Sequence, residues 1–532
     1  MLYRRKISRI LNQSRFPIKL SKPAIVVLLA LLAGCERPAP VVEIQSLEVT
    51  DPATAVLVPE QTEIQGESER EPTPRIDPTP TLKESYPGTP TPDPTRENSD
   101  GNNAFFLNHI VAFGETLFYI ANLYNTSVEE LQEINSLEDD DILAAGQELK
   151  VPGGLIEFSS SLKLIPDSEL VYGPAAFDFD SKSYIENQDG YLSSYLEEVE
   201  DQELTGAQIV QLVADRFSVN PRLLLAILEH RSRWLTLSNP KDDGFPMGFV
   251  EEGYEGLYQQ LSWAANKVNL GYYGRSEGGI DFINIDEVRY LFAPDINDGT
   301  AGLQLLYASY PEVSVEQWQR DIGRSGLYNT YTRLFGNPFS YTVDPLWPLD
   351  LEQPPLLLPF VTGDTWYFTG GPHGGWASGS GWAALDFSPS DGKSTCETSR
   401  SWVVAVADGA IVRSDYGATV IDLDGDGYAG SGWAITYMHI TKEDQIEVGS
   451  VVEAGDLIGR PSCEGGFSNA THLHISRTYN GRWVSADGDI PFSMGGWVSQ
   501  GLNREYDGLL IRGEEIKEAC ECEEEGNEIT GD

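Results

Sequence analysis

The sequence predicts a multidomain chain in which a small βααβ unit, an all-α region and an all-β antiparallel domain follow one another. Its 532 residues exceed what one ordinary hydrophobic core supports. Apolar residues recur with helical spacing in the middle of the chain and alternate with polar ones towards its end. The predicted boundaries are a signal peptide over 1–35, a linker over 36–104, the βααβ unit over 105–153, the helical region over 154–350, the all-β domain over 351–505 and an acidic disordered tail over 506–532.

Acidic residues dominate the composition, with 82 Asp and Glu against 36 Lys and Arg and a formal net charge of −46. A surface of this sign repels phosphate backbones, so nucleic acid is excluded as an expected partner. The acidic residues run through every region after residue 36, and they therefore mark no particular site.

The N-terminus has the pattern of an export signal. Seven basic residues precede an apolar run from Ala24 to Ala33, which is too short to span a bilayer comfortably. The run ends in Leu32-Ala33-Gly34-Cys35, which resembles the lipobox of bacterial lipoproteins. The resemblance implies cleavage before Cys35 and lipidation of its thiol, which would attach the protein to a membrane. An uncleaved anchor is the alternative, and in both cases the rest of the chain lies outside the cytoplasm.

Four further cysteines are compatible with export, because an oxidising compartment permits disulfides. Cys396 and Cys463 fall in one predicted domain, so we expect a disulfide between them. Cys520 and Cys522 fall in the acidic tail, where we expect disorder. The spacing of these cysteines does not match structural zinc sites, whose paired ligands are separated by about two to four residues.

The linker is rich in Pro, Thr, Glu and Asp and offers almost no apolar material to bury. Proline cannot donate to a strand ladder, so a semi-extended spacer with polyproline II character is expected. Such a spacer would let a tethered domain reach well away from the membrane.

The segment 105–153 carries signals in the order strand, helix, helix, strand. Thr116 can cap the first helix, and Ser127 with Glu130 forms a capping box for the second. Gly146 turns the chain into a closing strand from Glu148 to Val151.

This pattern resembles the LysM module over its whole length. The resemblance implies that the unit binds glycans containing N-acetylglucosamine, through the loop after the first strand and the loop before the last one. The residues that it implicates are Gly114, Glu115, Thr116, Ile142 and Gly146. His109 takes a position in the first strand that this family often fills with histidine or tyrosine, and we expect a structural role for it.

The region 154–350 shows helical periodicity, with Thr205 as a predicted cap and Asn220 ahead of a proline that begins a further helix. The passage "FSVNPRLLLAILEHRSRW" resembles the helix of lytic transglycosylases that ends in a catalytic Glu-Ser pair. Aligning Ser232 with that serine places Arg231 at the catalytic position, and arginine does not give up a proton. Glu229 lies about 200° away round the helix. The resemblance implies a lysozyme-like fold without cleavage activity, and a helical spacer is the alternative.

From about residue 353 onward, short apolar strands alternate with Gly- and Asp-rich turns, which is typical of an antiparallel all-β domain. Four of the six histidines lie here. His472 and His474 are spaced by two, so on a strand their side chains project from one face about 6–7 Å apart. His439 closes a second strand, and a catalytic zinc takes about three protein ligands and keeps one position for water.

These residues resemble the lysostaphin/LytM-type zinc endopeptidases. The resemblance implies that His373, Asp386 and His474 bind Zn²⁺. It also implies that His439 and His472 act as general base and oxyanion stabiliser, in an order that the sequence leaves open. The expected function is the hydrolysis of stem or cross-bridge peptides in peptidoglycan, by an enzyme that LysM targets to the glycan.

The sequence departs from the family pattern in the spacing of the first two predicted metal ligands. Twelve residues separate His373 from Asp386, where the family usually has three. A flexible insertion can loop out at modest entropic cost and leave both ligands in place. Asp364 and Asp391 are the alternative carboxylates.

A peptidoglycan-binding adaptor or regulator whose last domain is catalytically silent is the competing hypothesis. The ligand set is complete, which favours the enzyme. Separately, "DLDGDGY" (Asp422, Asp424, Asp426) resembles the start of a calcium loop. No glutamate follows at the twelfth position, so a tight hairpin turn is the favoured interpretation.

Overall fold

The computed structural model describes residues 104–531 with the exception of 113–114, 125, 136, 138–142, 145, 242–243, 278, 287, 393–395, 467, 469 and 503. The predicted signal peptide, the linker up to residue 103, and the sites at Cys35, Gly114 and Ile142 lie outside the described residues. Within the described ranges, no helix combines the length and the apolar character that crossing a bilayer requires.

The N-terminal unit has the strand and helix order that the sequence predicts. It consists of β1 (Ala104–Ile110), α1 (Leu117–Leu123), α2 (Val128–Asn135) and β2 (Glu148–Phe158). β1 and β2 are antiparallel, with His109 opposite Leu149. The hydroxyl of Thr116 accepts a hydrogen bond from the amide of Tyr119 at 3.2 Å, so the predicted cap of α1 is confirmed.

The middle region is mainly helical, but it also contains two short hairpins that an all-α prediction omits. Its elements are α3 (Ser181–Glu186), β3 (Leu196–Val199), β4 (Gln202–Thr205), α4 (Gly206–Phe217), α5 (Pro221–Ser232), α6 (Leu257–Ser276), β5 (Phe282–Ile285), β6 (Val288–Leu291), α7 (Asp298–Ala308), α8 (Val315–Asp321) and α9 (Leu327–Phe335). β2 continues past its predicted end and pairs in parallel with β6. The two regions therefore share a four-stranded sheet in the order β1-β2-β6-β5.

The two predicted helix starts of the middle region are confirmed. Thr205 forms a capping box with Gln208 at the start of α4. The side chain of Asn220 accepts from the amide of Arg222 at the start of α5, which has proline at its first turn. α5 is buried from Pro221 to Glu229, so it forms the centre of the helical core.

The C-terminal region is built from antiparallel strands, as predicted. They are β7 (Thr365–His373), β8 (Ala384–Pro389), β9 (Val403–Val404), β10 (Gly409–Asp415), β11 (Ala418–Asp422), β12 (Trp433–Met438), β13 (Val451–Val452), β14 (Leu457–Gly459), β15 (Leu473–Tyr479), β16 (Arg482–Trp483), β17 (Ser493–Met494), β18 (Trp497–Gly501), β19 (Gly508–Arg512), β20 (Glu515–Glu518) and β21 (Glu528–Thr530). The main sheet has the order β13-β10-β11-β12-β15-β8-β7-β21, and a smaller sheet has the order β17-β18-β19-β20.

The two faces of the main sheet differ in chemistry. Leu473 and Ile475 on β15 enter a core that includes Trp366, Phe387 and Ile435. His474 lies between them in the strand and projects to the opposite face, because neighbouring strand residues alternate. One face therefore stabilises the fold and the other carries the site.

The prediction of a disordered tail after residue 505 was wrong. β19 pairs with β18 and β20, and β21 pairs with β7, the strand that ends at His373. Ile529 is 2 % exposed and Asn527 is 1 % exposed. A few apolar side chains fill positions on the two sheets while the acidic ones face solvent, so acidic composition did not indicate disorder here.

The predicted disulfide between Cys396 and Cys463 is confirmed. A second disulfide, which was not predicted, joins Cys520 to Cys522 in the C-terminal segment. The carbonyls of both residues accept hydrogen bonds from the side-chain amide of the buried Asn527.

The turn between β15 and β16 inserts into the helical region. The amide of Trp483 donates to the hydroxyl of Tyr273 at 2.9 Å, and the hydroxyl of Ser218 donates to the carbonyl of Gly481 at 2.6 Å. The indole of Trp483 is 2 % exposed and belongs to the helical core. The strand that carries His474 is therefore anchored in the neighbouring region.

Candidate active site

Three adjacent strands bring the predicted metal ligands together. β7 ends at His373, and Asp386 on β8 lies opposite His474 on β15. One side-chain ligand atom from each of the three residues lies within 4.8 Å of the other two. The twelve-residue insertion loops out between β7 and β8, so it does not separate the ligands.

The distances inside this cluster are short. Nε2 of His373 lies 3.0 Å from Nδ1 of His474. Oδ1 of Asp386 lies 3.3 Å from each of these two nitrogens. The three residues are buried, at 3 %, 8 % and 6 % exposure for His373, Asp386 and His474.

Each of the four histidines in this domain contacts a backbone carbonyl through one ring nitrogen. The pairs are His373 Nδ1 with Gly371 O at 2.8 Å, His474 Nε2 with Gly375 O at 3.0 Å, His439 Nδ1 with Glu464 O at 2.9 Å, and His472 Nδ1 with Ala470 O at 2.8 Å. A carbonyl only accepts, so the hydrogen must be on the contacting nitrogen. The tautomer of each neutral ring is thereby fixed, and its other nitrogen is left with a free lone pair.

When both imidazoles of the metal cluster are neutral, as metal ligands must be, their lone pairs face one another without a hydrogen between them. Nε2 of His373 and Nδ1 of His474 are both acceptors in these tautomers, and Oδ1 of Asp386 is a buried atom without a hydrogen-bond partner. Buried acceptors at such distances repel unless a cation lies among them. Two imidazoles and a carboxylate are ligands that zinc prefers, so the residues fit that metal.

The pKa values agree with a site that favours positive charge. Burial opposes ionisation of Asp386, but the charges of His373 and His472 outweigh it and hold the pKa of Asp386 well below its usual range. Burial also opposes protonation of His373, yet Asp386 outweighs it and raises the pKa of His373. Burial lowers the pKa of His474, so that imidazole stays neutral and can act as a ligand.

His439 and His472 form a second pair of rings beside the metal cluster. Their centroids are 4.5 Å apart, and His439 lies 6.2 Å from the ring of His474. Nε2 of His472 is 3.8 Å from Oδ1 of Asp386. Burial, together with His472 and His474, lowers the pKa of His439 to about 3, so its ring is neutral at physiological pH.

The comparisons with known proteins assign the parts of the chain to three families. Residues 386–486 match Peptidase family M23, residues 109–152 match the LysM domain, and residues 163–348 match the LasA N-terminal domain. The C-terminal domain belongs to peptidase family M23. Members of this family depend on zinc, so the chain is a zinc metalloendopeptidase.

Three proteins that are similar to parts of this chain are named as proteases or peptidases. The chain is 27 % identical over 362 residues to Protease LasA of Pseudomonas aeruginosa, which covers 63 % of this chain and 78 % of that protein. Among solved structures, the deep-sea M23 metalloprotease pseudoalterin is 27 % identical, covering 31 % of this chain and 96 % of that one, with a TM-score of 0.26. The catalytic domain of lysostaphin from Staphylococcus simulans is 25 % identical, covering 23 % and 87 % of the two chains, with a TM-score of 0.17.

One residue that contacts the M23 site was missed from the sequence. The ring of Tyr506 stacks on His373 at a centroid distance of 4.2 Å and an interplanar angle of 22°. Burial and the charge of Asp386 raise the pKa of Tyr506 to about 12, so its hydroxyl stays protonated. The residue lies in the segment that was predicted to be disordered, and backbone hydrogen bonds with Gly371 and Pro372 hold it beside His373.

The loop that follows His373 in the M23 domain is held by the helical region. The amide of Gly379 donates to Oδ1 of Asn266 at 2.7 Å, and a Cβ at Gly379 would come within 2.0 Å of the Asn266 carbonyl. The guanidinium of Arg216 lies 5.2 Å from the ring of Trp376 in this loop. Because Gly375 of the same loop accepts from His474, the helical region helps to orient a ligand.

The structure does not bring the alternative carboxylates to the M23 site. Asp391 accepts hydrogen bonds from Ser399 and from the amide of Arg400, so it organises its own loop. The amide of Asp364 donates to the carbonyl of Val361 in a turn before β7. Asp386 is the carboxylate beside His373 and His474 among the described residues.

In the LysM module, Gly146 lies beside the residues that directly follow β1. The amide of Gly146 donates to the carbonyl of Val111 at 2.8 Å, and Gly146 has a φ of +87°, which favours glycine. The carboxylate of Glu115 accepts from His109 and from the amide of Ala112, both at 2.8 Å. His109 and Glu115 therefore stabilise the loop.

The middle region gives Arg231 and Glu229 structural contacts. Nε of Arg231 donates to the carbonyl of Met247 at 2.9 Å, and its guanidinium lies 4.1 Å from the ring centroid of Tyr310. Glu229 is 1 % exposed, accepts from Thr236 and pairs with Arg333. The lysozyme-like fold stays a prediction, and the matched family is the LasA N-terminal domain.

The acidic cluster between β11 and β12 has its own hydrogen bonds. Asp422, Asp424 and Asp426 place one ligand atom each within 4.8 Å of the others. Asp422 accepts from the amide of Gly427 at 2.8 Å, and Asp426 accepts from the amide of Tyr428 at 2.8 Å. The loop is longer than the predicted tight hairpin, since β11 ends at Asp422 and β12 begins at Trp433.

Proposed function

We propose that this chain cuts peptide bonds in bacterial peptidoglycan with a zinc site held by His373, Asp386 and His474. The observation that carries the proposal is the hydrogen bonding of the four imidazoles. Each donates to a backbone carbonyl through one nitrogen. The other nitrogens of His373, His474 and His472 lie 3.3, 3.3 and 3.8 Å from Oδ1 of the buried Asp386. A purely structural cluster would use those nitrogens in hydrogen bonds.

Zinc, when bound there, would supply a Lewis acid and a water of lowered pKa. His439 and His472 would divide proton transfer and oxyanion stabilisation between them. In its neutral form each ring accepts a proton at its free nitrogen, and the resulting imidazolium donates it to the leaving amine. The carbonyls of Glu464 and Ala470 keep the two rings oriented for this exchange.

The rest of the chain would bring this site to its substrate. The LysM module would bind glycan through the loops that contain Gly114, Glu115, Thr116, Ile142 and Gly146. Cleavage before Cys35 and lipidation of its thiol would tether the enzyme to a membrane, with the proline-rich linker as a spacer. The enzyme would therefore act outside the cytoplasm on wall within reach of the linker.

A digest of purified peptidoglycan tests the proposal. The fragment should span residues 104–531, because a cut at residue 505 would remove β19, β20 and β21. We expect new amino termini in the mass spectrum of the products, and we expect them to disappear with a chelator or with His474→Ala. His230→Ala is the matched control, since it removes a histidine outside the site.

The outcomes separate the two hypotheses. New amino termini that depend on zinc and on His474 would establish the endopeptidase and identify the bond. Stoichiometric zinc without any product would favour the silent adaptor. New reducing sugar ends that survive the chelator would contradict the proposal and move the activity to the helical region.

A further inference from the structure

A second pocket, remote in sequence from the M23 site, opens on the helical region. Its volume is about 540 Å³, within the usual range for small-ligand sites. One wall comes from the segment that follows β2, and the other from the turn before α9, the first turn of α9 and the short helix after it. The lining residues are Ser160, Ser161, Leu162, Lys163, Arg324, Tyr328 and Phe339.

The charge of this pocket is opposite to that of the chain. Lys163 and Arg324 line it, and none of its lining residues is acidic, although the chain has a net charge of −46. Other arginines of the helical region are paired, such as Arg222 with Glu169 and Arg275 with Asp298. In the part of the chain that the structure describes, neither Lys163 nor Arg324 forms an ion pair. Both cations are therefore free to bind an anion.

The remaining lining groups suit a sugar. Phe339 is 37 % exposed, and Tyr328 offers a second, partly buried ring. The faces of such rings pack against the C–H face of a pyranose, while hydroxyls bond its polar edge. Within the described residues, the hydroxyls of Ser161 and Tyr328 have no hydrogen-bond partner, so they are available as well.

One wall of the pocket and the helix α8, which precedes the other wall, are held by the same residue of α7. The side-chain amide of Gln304 donates to the carbonyl of Ser160 at 2.9 Å. The carbonyl of Gln304 accepts from the indole nitrogen of Trp318 on α8 at 3.0 Å, and Trp318 is 1 % exposed. These contacts hold Ser160 and α8 against α7, and a wall that is already ordered lowers the entropic cost of binding.

We propose that this pocket binds a carboxylate-bearing sugar, with Arg324 and Lys163 on the carboxylate and Tyr328 and Phe339 against the ring. The planar guanidinium can bind both oxygens of a carboxylate. The pocket begins two residues after β2, the last strand of the LysM module, so one glycan strand could contact both. Identifying that sugar as the lactyl-substituted sugar of peptidoglycan rests on the proposed function.

Binding to two disaccharides tests this site without any cleavage. The full chain, stripped of zinc, is titrated calorimetrically with N-acetylglucosaminyl-N-acetylmuramic acid, which carries a carboxylate, and with chitobiose, which does not. Arg324→Ala and Lys163→Ala are compared with Arg320→Ala, an exposed arginine on neighbouring α8 that removes the same charge outside the pocket. Because LysM is expected to bind both sugars, the difference between them reports on the pocket.

We expect Arg324→Ala to weaken binding of the charged disaccharide by about tenfold or more, the loss typical of one charge-assisted hydrogen bond. Binding of chitobiose should be unchanged in the variants, and Arg320→Ala should bind the charged disaccharide as the wild type does. Equal binding of the charged disaccharide by all three variants would overturn the assignment. If inorganic phosphate displaces the charged disaccharide and the pocket does not prefer the carboxylated sugar to chitobiose, the assignment of a carboxylate is overturned and the pocket is a phosphate site. Because zinc is absent, failure here leaves the peptidase proposal intact, and failure of the digest leaves this result intact.

Discussion

Two histidine–aspartate pairs in this chain have similar geometry and opposite hydrogen-bond status. In the helical region, Nε2 of His230 lies 2.9 Å from Oδ1 of Asp321, and Nδ1 lies 3.2 Å from the hydroxyl of Thr330. In the M23 domain, His373 and Asp386 are 3.3 Å apart, but Oδ1 of Asp386 has no hydrogen-bond partner. Both ring nitrogens of His230 are engaged, whereas His373 keeps one free lone pair.

Hydrogen-bond partners, and not proximity, distinguish a structural histidine–aspartate pair from one that can bind a metal. The second oxygen of Asp321 accepts from Gln317 at 2.8 Å, so that carboxylate is satisfied within the protein. Asp386 is equally buried and meets two further lone pairs. A buried polar group without a partner costs free energy, and the protein retains it where a ligand repays that cost.

The largest expected effect comes from removing a metal ligand. His474→Ala or Asp386→Ala should abolish stoichiometric zinc binding and lower peptide cleavage by about 10³-fold or more. His230→Ala should leave both unchanged. Zinc content by atomic absorption and cleavage of purified peptidoglycan measure the two effects. Loss of zinc in His230→Ala would contradict the assignment of His230 to a purely structural pair.

The next effect separates metal binding from proton transfer. His439→Ala and His472→Ala should keep zinc and lower kcat by about 10²- to 10⁴-fold, the range of a general acid or base. The measurement is kcat beside zinc content for each variant. If the zinc content of either variant falls as far as that of His474→Ala, the histidine replaced in that variant is a metal ligand instead.

The pair formed by His230 and Asp321 should contribute to the free energy of unfolding, and that contribution should depend on pH. Burial opposes ionisation of Asp321, but hydrogen bonds from His230 and Gln317 outweigh it and lower its pKa. A lowered folded-state pKa adds stability above the ordinary value of 3.8, and this stability is lost as the pH falls through the folded-state value. Asp321→Asn should therefore reduce the free energy of unfolding by about 1–3 kcal/mol at pH 7 and by less below pH 3.8.

Urea unfolding of the wild type and of Asp321→Asn, at pH 7 and at pH 3, measures the loss in the free energy of unfolding at each pH. The matched variant in the pair of His373 and Asp386 is Asp386→Asn, whose urea unfolding is compared with that of the wild type in the absence of zinc. A loss for Asp321→Asn that is independent of pH would contradict the assigned ionisation.

The smallest expected effect concerns Tyr506. An aromatic stack is worth about 0.5–1.5 kcal/mol beyond area burial, so Tyr506→Leu should weaken zinc affinity by about two- to tenfold. Tyr506→Phe keeps the stack and should bind zinc as the wild type does. Competition with a chromogenic chelator gives the affinities, and equal values for all three proteins would show that the ring does not position His373.

The local parts of the fold were predictable because they depend on neighbouring residues. Thr205 with Gln208 and Asn220 with a following proline begin helices where the sequence places them. The alternation around His474 predicts its face. The disulfide between Cys396 and Cys463 followed from export and domain assignment.

The errors concern short local elements and contacts between distant segments. The hairpins β3–β4 and β5–β6 are only four residues per strand, too short for a periodic signal. β21 pairs with β7 across more than 150 residues of sequence. The acidic composition of its surroundings therefore suggested disorder, because the sequence does not show which partner strand will bury Ile529.

Residue types and their spacing along the chain specified the order of the parts and the antiparallel character of the last domain. The family resemblance pointed to His373, Asp386 and His474 as the proposed zinc ligands. The tertiary structure alone decided the tautomer of each imidazole, the contact of Tyr506 with His373 and the pairing of the tail. Those features depend on which backbone carbonyls and rings converge from separate strands. Each histidine looks alike in the sequence, and only its hydrogen-bond partners show whether a lone pair remains for a ligand.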